Sequence, residues 1–331
     1  MNRVIKWGIA GTGRIAHKFA QDFDYVPNGE VVAVSSRSQQ SADAFANQHG
    51  VSIAHAGYEN LLLNPAVEAV YIASPHTCHY QNVADAITAG KHVLCEKPFT
   101  INPQETRDLI ALAEKSNVFM MEAMWTYFLP AIHKAQQWVD EGRIGTIRQI
   151  KADFGYPLLP FDPDRREYDA EMAGGCLLEM GIYPIALASL FMPHDPVGMQ
   201  VHAHFAPNGV EDEVAMIFDY GDAAEGAAAV LSTSFRARLH NYACIIGDNG
   251  YIEIPDFFRA SECALYQLDS RLEHFEDGRE SIGLNYQAIA AGEDISAGQK
   301  QNELLPWSAT LKFQQHMEAI QLSMTKAARQ P

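Results

Sequence analysis

Short apolar runs alternate with amphipathic stretches through the first 123 residues of the chain. Five runs are predicted as buried strands, at 4–10, 30–35, 69–73, 92–97 and 118–122. Four stretches with apolar residues at helical spacing lie between or beside them, at 15–23, 41–49, 79–89 and 103–115. Because strands and helices alternate, the pattern predicts an α/β fold with a doubly wound parallel sheet over residues 1–123.

From residue 124 onward the pattern changes to longer runs in which apolar and polar residues alternate. Strands are predicted at 147–156, 201–205, 213–220, 227–236, 241–246, 251–254 and 264–268. Such alternation predicts a second, α+β domain over 124–305, built on a large, mostly antiparallel open sheet with one covered face. An amphipathic helix at 307–328 follows, and we predict that residues 306–331 return to the first domain.

The first strand is followed directly by Gly11-Thr12-Gly13-Arg14-Ile15-Ala16, a G-x-G-x-x-A sequence that opens a helix. The first glycine allows a tight turn, the second lets the backbone approach a pyrophosphate, and the alanine allows close helix–strand packing. The helix N-terminus offers free N–H groups to phosphates. The context predicts a Rossmann domain in which residues 11–15 bind a dinucleotide; the alternative is a chance glycine turn.

The end of the second strand carries Ser35-Ser36-Arg37, where NAD-binding proteins usually place Asp or Glu on the ribose 2′-hydroxyl. An acid would repel a 2′-phosphate, whereas Ser36 and Arg37 can hold one through charge-assisted hydrogen bonds. The sequence therefore predicts NADP in preference to NAD. The alternative is that Arg37 is a solvated loop arginine.

Two further strands end in polar residues that we expect at the ligand-binding edge of the sheet. One is followed by Ser74-Pro75-His76 and, three residues on, His79; the other ends in Glu96-Lys97 before Pro98. We predict all of these as cofactor-binding residues, and Lys97 as a group that donates hydrogen bonds or relays a proton. His76 and His79 lack a cysteine or carboxylate at metal-ligand spacing, so no metal is predicted.

Composition and charge narrow the function classes. The net charge of −17 argues against nucleic acid and anionic membranes as partners, because both require a basic face. The five cysteines are scattered and lack CxxC spacing, which favours free thiols in a reducing cytoplasm. The chain opens directly on a strand, so no signal peptide is predicted and the expected location is cytoplasmic.

Taken together, the segments resemble the Gfo/Idh/MocA oxidoreductase family over nearly the whole chain. The resemblance rests on residues 8–16, on Pro75-His76-x-x-His79, on Glu96-Lys97-Pro98, and on Gly174-Gly175 through Gly181-Ile182-Tyr183. Within the family, the run 121–126 and Gly181-Ile182-Tyr183 are similar to the dimeric dihydrodiol dehydrogenase branch, which includes NADP-dependent D-xylose dehydrogenases. Two residues depart from the pattern: His76 replaces a common Asn, and Glu179 replaces an Asp.

The resemblance implies that Lys97 and Tyr183 are catalytic. It also implies that the substrate is bound by His76, Trp125, Arg148, Phe154 and Tyr183. The chemistry agrees, because a nearby Lys cation lowers the pKa of a Tyr phenol toward the range of a usable base. Tyr183 is expected near a helix start, where the dipole also favours the phenolate. The alternative for these aromatic residues is ordinary core packing.

The predicted function is NADP-dependent hydride transfer to or from a secondary alcohol or carbonyl of a sugar, cyclic polyol or trans-dihydrodiol. The alternatives are a keto-sugar reductase of the same family, and a non-catalytic protein that binds NADP as a sensor or scaffold. A homodimer is also predicted, through the open face of the second sheet. The residues assigned to that face are Ala215, Ile217, Ala229 and Leu231.

Overall fold

The structure is a computed structural model that describes residues 3–327. Two compact units are formed, one by Met1–Trp125 with Glu280–Leu311 and the other by Thr126–Arg279 with Lys312–Pro331. Residues 280–305, which the sequence pattern assigns to the second domain, therefore group with the first unit. Residues 328–331, at the end of the predicted C-terminal helix, lie outside the described part of the chain.

The first unit contains a parallel sheet of six strands. They are β1 (Ile5–Ala10), β2 (Gly29–Ser36), β3 (Ile53–Ala56), β4 (Ala69–Ile72), β5 (His92–Glu96) and β6 (Met120–Ala123). The strand order is β3-β2-β1-β4-β5-β6, which confirms the predicted doubly wound sheet. Strand β3 was not predicted because it is a short edge strand whose four residues are only half-buried.

Five helices connect these strands. They are α1 (Arg14–Asp22), α2 (Gln39–His49), α3 (Tyr58–Leu63), α4 (His76–Thr88) and α5 (Pro103–Lys115). Two of them start where the sequence provides a capping side chain: Ser38 accepts the Ser41 N–H before α2, and Asn102 accepts the Glu105 N–H before α5. The core between sheet and helices is aliphatic, with Val70, Val93 and Leu109 fully or almost fully buried.

The second unit contains an eight-stranded sheet. Its strands are β7 (Ile147–Gly155), β8 (Gly198–Phe205), β9 (Glu211–Asp219), β10 (Ala228–Ser234), β11 (Tyr242–Gly247), β12 (Tyr251–Pro255), β13 (Glu262–Gln267) and β14 (Ser270–Glu276). The order is β14-β13-β12-β11-β7-β10-β9-β8. Neighbours are antiparallel except β7 and β10, which are parallel, so the mostly antiparallel sheet is confirmed.

Helices α6 (Pro130–Asp140) and α7 (Ile182–Phe191) pack on one face of this sheet. The open face carries Ile217 and Val230, which are 42% and 40% exposed and lie opposite each other in register. The placement of Ala229 and Leu231 on that face is wrong, because both are buried against the helices. Side chains alternate along an extended strand, so the neighbours of exposed Val230 must point to the covered side.

Helix α7 is the most apolar part of the chain. Within the described residues, Ala170–Phe191 is the one helical segment long and apolar enough to cross a membrane, judged by length and composition. Most of that segment is buried inside the protein, which is the behaviour of a core helix. The residues of α7 itself are apolar all round because the helix is covered on nearly every side.

A segment from the end of the chain completes the first unit through α8 (Asn285–Ser296) and the first residues of α9 (Trp307–Ala327). The buried Asp22 carboxylate accepts the backbone N–H groups of Ile282, Gly283 and Leu284 at 2.7–2.8 Å. The Trp307 indole N–H donates to the Met120 carbonyl at 2.8 Å. Partners some 260 residues apart leave no local pattern, so the sequence analysis had no signal for this attachment.

We expect Asp22→Ala to lower the free energy of unfolding by about 2–4 kcal/mol, because three backbone N–H groups would lose a charged acceptor in a buried place. Chemical denaturation followed by circular dichroism would measure the loss. Asp24→Ala, an exposed acid two residues away, is the matched control and should change stability by less than about 0.5 kcal/mol. Equal stability of the two variants would contradict the anchoring role of Asp22.

Candidate functional site

The carboxyl ends of four adjacent strands form one edge of the first unit. The Gly11 N–H donates to Ser35 at the end of β2, and the Ala73 N–H donates to Ala10 at the end of β1, both at 2.9 Å. The loops after β2, β1, β4 and β5 therefore meet at this edge, and the order of strands reverses between β1 and β4. A crevice for ligands opens at such a reversal. All the predicted cofactor-binding residues lie at the last residues of these strands, in the loops that follow them, or in the first turns of α1 and α4.

The two glycines after β1, Gly11 and Gly13, are favoured at their positions for different physical reasons. Gly11 has φ +113°, and a Cβ there would lie 2.8 Å from the Ala73 carbonyl oxygen, so only glycine fits. Gly13 has ordinary extended backbone, and a Cβ there would meet nothing within 4 Å. The open space lies at the N-terminus of α1, whose first N–H groups have no carbonyl partner within the helix. This cradle fits the pyrophosphate of a dinucleotide.

The end of β2 is lined by hydroxyl groups and exposed arginines. The Thr12 and Ser36 hydroxyl oxygens are 3.0 Å apart, which joins the loops after β1 and β2. Arg14 and Arg37 are exposed, and Ile15 is half-buried. No acid stands at residues 35–38, so the position that would hold a ribose hydroxyl in NAD-specific proteins carries positive charge here.

The end of β4 continues into α4 through Ser74, Pro75 and His76. Pro75 precedes the first turn of α4, and the Ser74 hydroxyl accepts the Asn82 side-chain amide at 2.9 Å. His76 begins the helix, with its ring 5.7 Å from that of His79. These residues place a helix N-terminus and an imidazole at the same edge as Gly13.

His79 does not take the predicted role of a cofactor contact. Its ring is fully buried, with Nδ1 2.9 Å from the Pro98 carbonyl oxygen and Nε2 2.9 Å from that of Ser74. Burial lowers the pKa of His79, and the nearby Lys97 charge lowers it further, although both carbonyl groups act in the opposite sense. The ring therefore lies between the loops after β4 and β5, where in its neutral form it can donate its single N–H to one of the two carbonyl oxygens, and it has no surface left for a ligand.

Two buried glutamates surround the start of the loop that carries Lys97. Glu96 accepts a hydrogen bond from the Tyr71 hydroxyl, and burial raises the pKa of Glu96. Glu122 accepts the Phe99 N–H at 2.9 Å, and burial raises the pKa of Glu122 to about 7 even though Phe99, Thr310 and Lys97 each lower it. Glu122 was not predicted as a site residue because in the sequence it is the last residue of an apolar strand.

The second unit contributes a cluster of aromatic rings around Tyr183. Phe154, at the end of β7, stacks on Phe258 with ring centroids 4.1 Å apart. Tyr183 meets Phe154 edge-on at 5.2 Å and Phe258 at 6.0 Å, and Tyr156 meets Phe154 edge-on at 5.8 Å. Phe258 was not predicted; the paired Phe257-Phe258 directly after a strand ending in Pro255 was the available signal.

Tyr183 was expected at the start of a helix, but it lies inside a longer helical segment. A π-helical turn at Leu177–Gly181 runs directly into α7, so the N-terminal end lies near Gly175 and Cys176. The Leu177 N–H at that end is bonded by Glu211, and burial raises the pKa of Glu211 to about 7. The helix dipole therefore acts on Glu211, because the effect decays within the first turn. Inserted π-turns are frequent at functional sites.

The two motif glycines at 174 and 175 allow the chain to pass close to other groups. A Cβ at Gly175, which has φ +128°, would lie 2.1 Å from a Glu211 carboxylate oxygen. At Gly174 it would lie 2.7 Å from the Glu167 carbonyl oxygen. The next acid, Glu179, forms a salt bridge with Arg166, which ties residues 156–176 to the helical turn before Tyr183.

The structure does not bring Arg148 to the aromatic cluster. Arg148 lies at the start of β7 and Phe154 near its end, which is about 20 Å along an extended strand. The guanidinium of Arg148 pairs with Glu225 at 2.9 Å and Asp248 at 3.0 Å, in the turns at that end. Trp125, in the first unit, is buried directly after β6. Among the described residues, no three His, Cys, Asp or Glu side chains are grouped to hold a metal.

Comparison with known proteins agrees with this architecture. Residues 5–124 match the oxidoreductase family with an NAD-binding Rossmann fold, and residues 132–253 match the GFO/IDH/MocA C-terminal domain. The chain belongs to the Gfo/Idh/MocA oxidoreductase family. It is 34% identical over 255 residues to a trans-1,2-dihydrobenzene-1,2-diol dehydrogenase of Xenopus laevis, which covers 76% of each chain.

Solved structures with the same fold cover nearly the whole chain. An aldose-aldose oxidoreductase from Caulobacter crescentus, complexed with glycerol, superposes with a TM-score of 0.89 at 21% identity, over 98% of both chains. The 3-ketoreductase KijD10 from Actinomadura kijaniata, in complex with NADP and TDP-benzene, superposes with a TM-score of 0.84 at 25% identity, over 97% of this chain and 98% of that one. The family match and the dihydrodiol dehydrogenase relatives show that the protein is a dehydrogenase or reductase.

We expect Gly13→Ala to weaken NADPH binding at least about ten-fold without changing the melting temperature, because the new methyl group enters space kept open at the helix N-terminus. Isothermal titration calorimetry and thermal melting measure the two quantities. Gly198→Ala, in the second unit, is the matched control, since a Cβ there makes only ordinary contact at 3.9 Å. Unchanged NADPH affinity in Gly13→Ala would place the pyrophosphate elsewhere.

Proposed function

We propose that the protein is an NADP-dependent oxidoreductase that interconverts a secondary alcohol and a carbonyl on a sugar, cyclic polyol or trans-dihydrodiol. The observation that carries the proposal is Tyr183, whose phenol lies among the stacked rings of Phe154 and Phe258. Aromatic faces suit the apolar faces of sugar and cyclohexadiene rings. The dehydrogenase and sugar-oxidoreductase names of the similar proteins support the same substrate class.

In this proposal each residue has a defined task. Bound NADP supplies the hydride acceptor, or the donor in the reverse direction. Tyr183 takes the proton of the substrate hydroxyl when the alcohol is oxidised and returns it when the carbonyl is reduced. Lys97 remains protonated and stabilises the phenolate, which compensates for burial that would otherwise hold the pKa of a phenol high. His76 and Trp125 complete the proposed set of substrate contacts.

Tyr183→Phe should lower kcat by about 10²- to 10⁴-fold, because general acid–base help of that size is lost, while NADPH affinity stays close to wild type. Lys97→Met should have a similar effect. The double variant should lose little more than the worse single one, because residues that act as a unit are not additive. Stopped-flow kinetics and NADPH titration measure these values across a panel of aldoses, inositols and trans-diols.

Two outcomes would contradict this assignment in different ways. Near-normal kcat in Tyr183→Phe would transfer the proton role to Lys97 or His76. Tight NADPH binding by the wild type with no turnover of any member of the panel would favour a non-catalytic sensor. A keto-sugar reductase, the alternative suggested by the 3-ketoreductase structure, would show turnover of keto-sugars with NADPH and not of the alcohols with NADP.

We also propose NADP in preference to NAD, supported by exposed Arg37 and the absence of an acid at residues 35–38. Arg37→Ala should raise KM for NADP by at least about ten-fold and leave KM for NAD within about two-fold, because only NADP has the 2′-phosphate. Steady-state kinetics with both cofactors tests this, with Arg107→Ala, on exposed helix surface, as control. A wild-type preference for NAD would refute the proposal.

The proposed assembly is a homodimer through the open face of the eight-stranded sheet. Ile217 and Val230 give this face exposed apolar surface near β9 and β10, and Tyr251 and Tyr266 stack on each other at 4.9 Å in neighbouring strands. A broad half-covered sheet is a common association surface. Light scattering at micromolar concentration should give twice the mass of one chain, and a monomer mass would refute it.

A further inference from the structure

The loop that leaves β5 carries Lys97 and is held by its next peptide group, between Pro98 and Phe99. The Pro98 carbonyl oxygen lies 2.9 Å from His79 Nδ1. The Phe99 N–H donates to Glu122 Oε1 at 2.9 Å. His79 and Glu122 are 0% and 1% exposed, so both ends of one peptide group are fixed by buried side chains.

Each of these two side chains is itself anchored on a different neighbour of β5. His79 belongs to α4, and its other ring nitrogen lies 2.9 Å from the Ser74 carbonyl oxygen after β4. Glu122 belongs to β6, and the side chain of Thr310 in α9 lies close enough to its carboxylate to lower its pKa. Because β5 pairs with β4 on one side and β6 on the other, the Lys97 loop is braced from both flanking strands.

The same side chains, together with Glu96, interact electrostatically with the Lys97 ammonium. The Lys97 ammonium lowers the pKa of Glu122, of Glu96 and of His79. Coupling of this kind is mutual, so the two carboxylates stabilise the protonated form of Lys97 to the same extent. The remaining titratable group that faces Glu122 is the buried thiol of Cys95, whose pKa is raised by burial and by both glutamates.

We propose that His79 and Glu122 are positioning residues for Lys97, which clamp the Pro98–Phe99 peptide group from two sides, while the Glu122 carboxylate, opposite Cys95 on the strand paired with β5, favours the charged form of Lys97. The proposal deepens the proposed function and rests on it for the catalytic role of Lys97. His79, which was predicted to contact the cofactor, instead receives a positioning role that agrees with its complete burial.

The clamp itself can be tested without turnover. In Glu122→Ala the Phe99 N–H loses its acceptor, so its hydrogen exchange should become at least about ten-fold faster than in wild type. In Glu122→Gln the amide oxygen retains the acceptor, and the exchange rate should stay within about two-fold. Exchange measured by NMR on the cofactor-free protein decides this, and wild-type exchange in Glu122→Ala would overturn the clamp.

The charge coupling has its own readout. Lys97→Met removes a cation that lowers the pKa of Glu122, so the titration midpoint of Glu122 should be higher in the variant than in the wild type. Carboxyl carbon NMR on selectively labelled protein follows that midpoint. An unchanged midpoint would overturn the electrostatic half of the proposal.

Kinetic measurements then distinguish a residue that positions Lys97 from a residue that binds NADPH. Glu122→Ala and His79→Phe should lower kcat by about 10- to 100-fold, since misplacing a reacting group by about 1 Å costs that much, with NADPH affinity within about two-fold of wild type. A direct cofactor contact would instead weaken NADPH binding. In Glu122→Gln the alkaline limb of the activity–pH profile should move to lower pH, because Lys97 loses a stabilising negative charge.

Glu68→Gln is the matched control. Glu68 also accepts a backbone N–H, that of Lys6 at 3.0 Å, but at the opposite, amino edge of the same sheet. It should change neither Phe99 exchange nor the pH profile. If the wild type binds NADPH but turns over no substrate, the proposed function fails, whereas Phe99 exchange and the Glu122 titration still decide whether the clamp exists.

Discussion

The arrangement of the first unit depends on one close approach of the backbone, between Gly11 and Ala73 at the carboxyl edge of the sheet. Gly11 lies so near the Ala73 carbonyl that no side chain fits between them. That approach holds the loop after β1 against the loop after β4, where the order of strands reverses. The helix N-terminus after Gly13 and the helix N-terminus after Pro75 then face the same edge, so the N–H groups of two helix N-termini and the His76 imidazole are organised by one steric constraint.

A second feature that recurs in the protein is the burial of polar side chains. Asp22, His79, Glu96 and Glu122 are buried carboxylate or imidazole side chains, and Glu211 is a half-buried carboxylate at the start of β9. Each has backbone groups as partners, which is what makes a buried charge or dipole tolerable. Four of these side chains bond backbone groups that lie close to Lys97 in sequence or at the start of the helical segment that carries Tyr183. The fifth, Asp22, bonds the backbone of the segment that returns from the end of the chain.

The two units contribute chemistry of different kinds. The first unit provides charged and hydrogen-bonding groups on parallel-strand loops, including Arg37 and Lys97. The second provides ring surfaces, with Phe154, Phe258 and Tyr183 packed at right angles or stacked. Phosphate groups bind to charged and N–H groups, whereas carbon rings pack against aromatic faces, so the two surfaces suit different kinds of ligand.

The sequence by itself determined the parallel sheet, the glycine cradle and the mostly antiparallel second sheet, because periodicity and glycine spacing are local properties. Motifs that extend over a few residues also led to the proposal of Lys97 and Tyr183 as catalytic residues. Only the tertiary structure decided that His79 braces a loop, that Glu122 accepts the Phe99 N–H, and that Arg148 lies far along β7 from Phe154. These facts depend on partners distant in sequence and on which face of a strand is covered. The π-turn before Tyr183 belongs to the same class, since it extends the helix back to Gly175, where Glu211 from a distant strand bonds its free end.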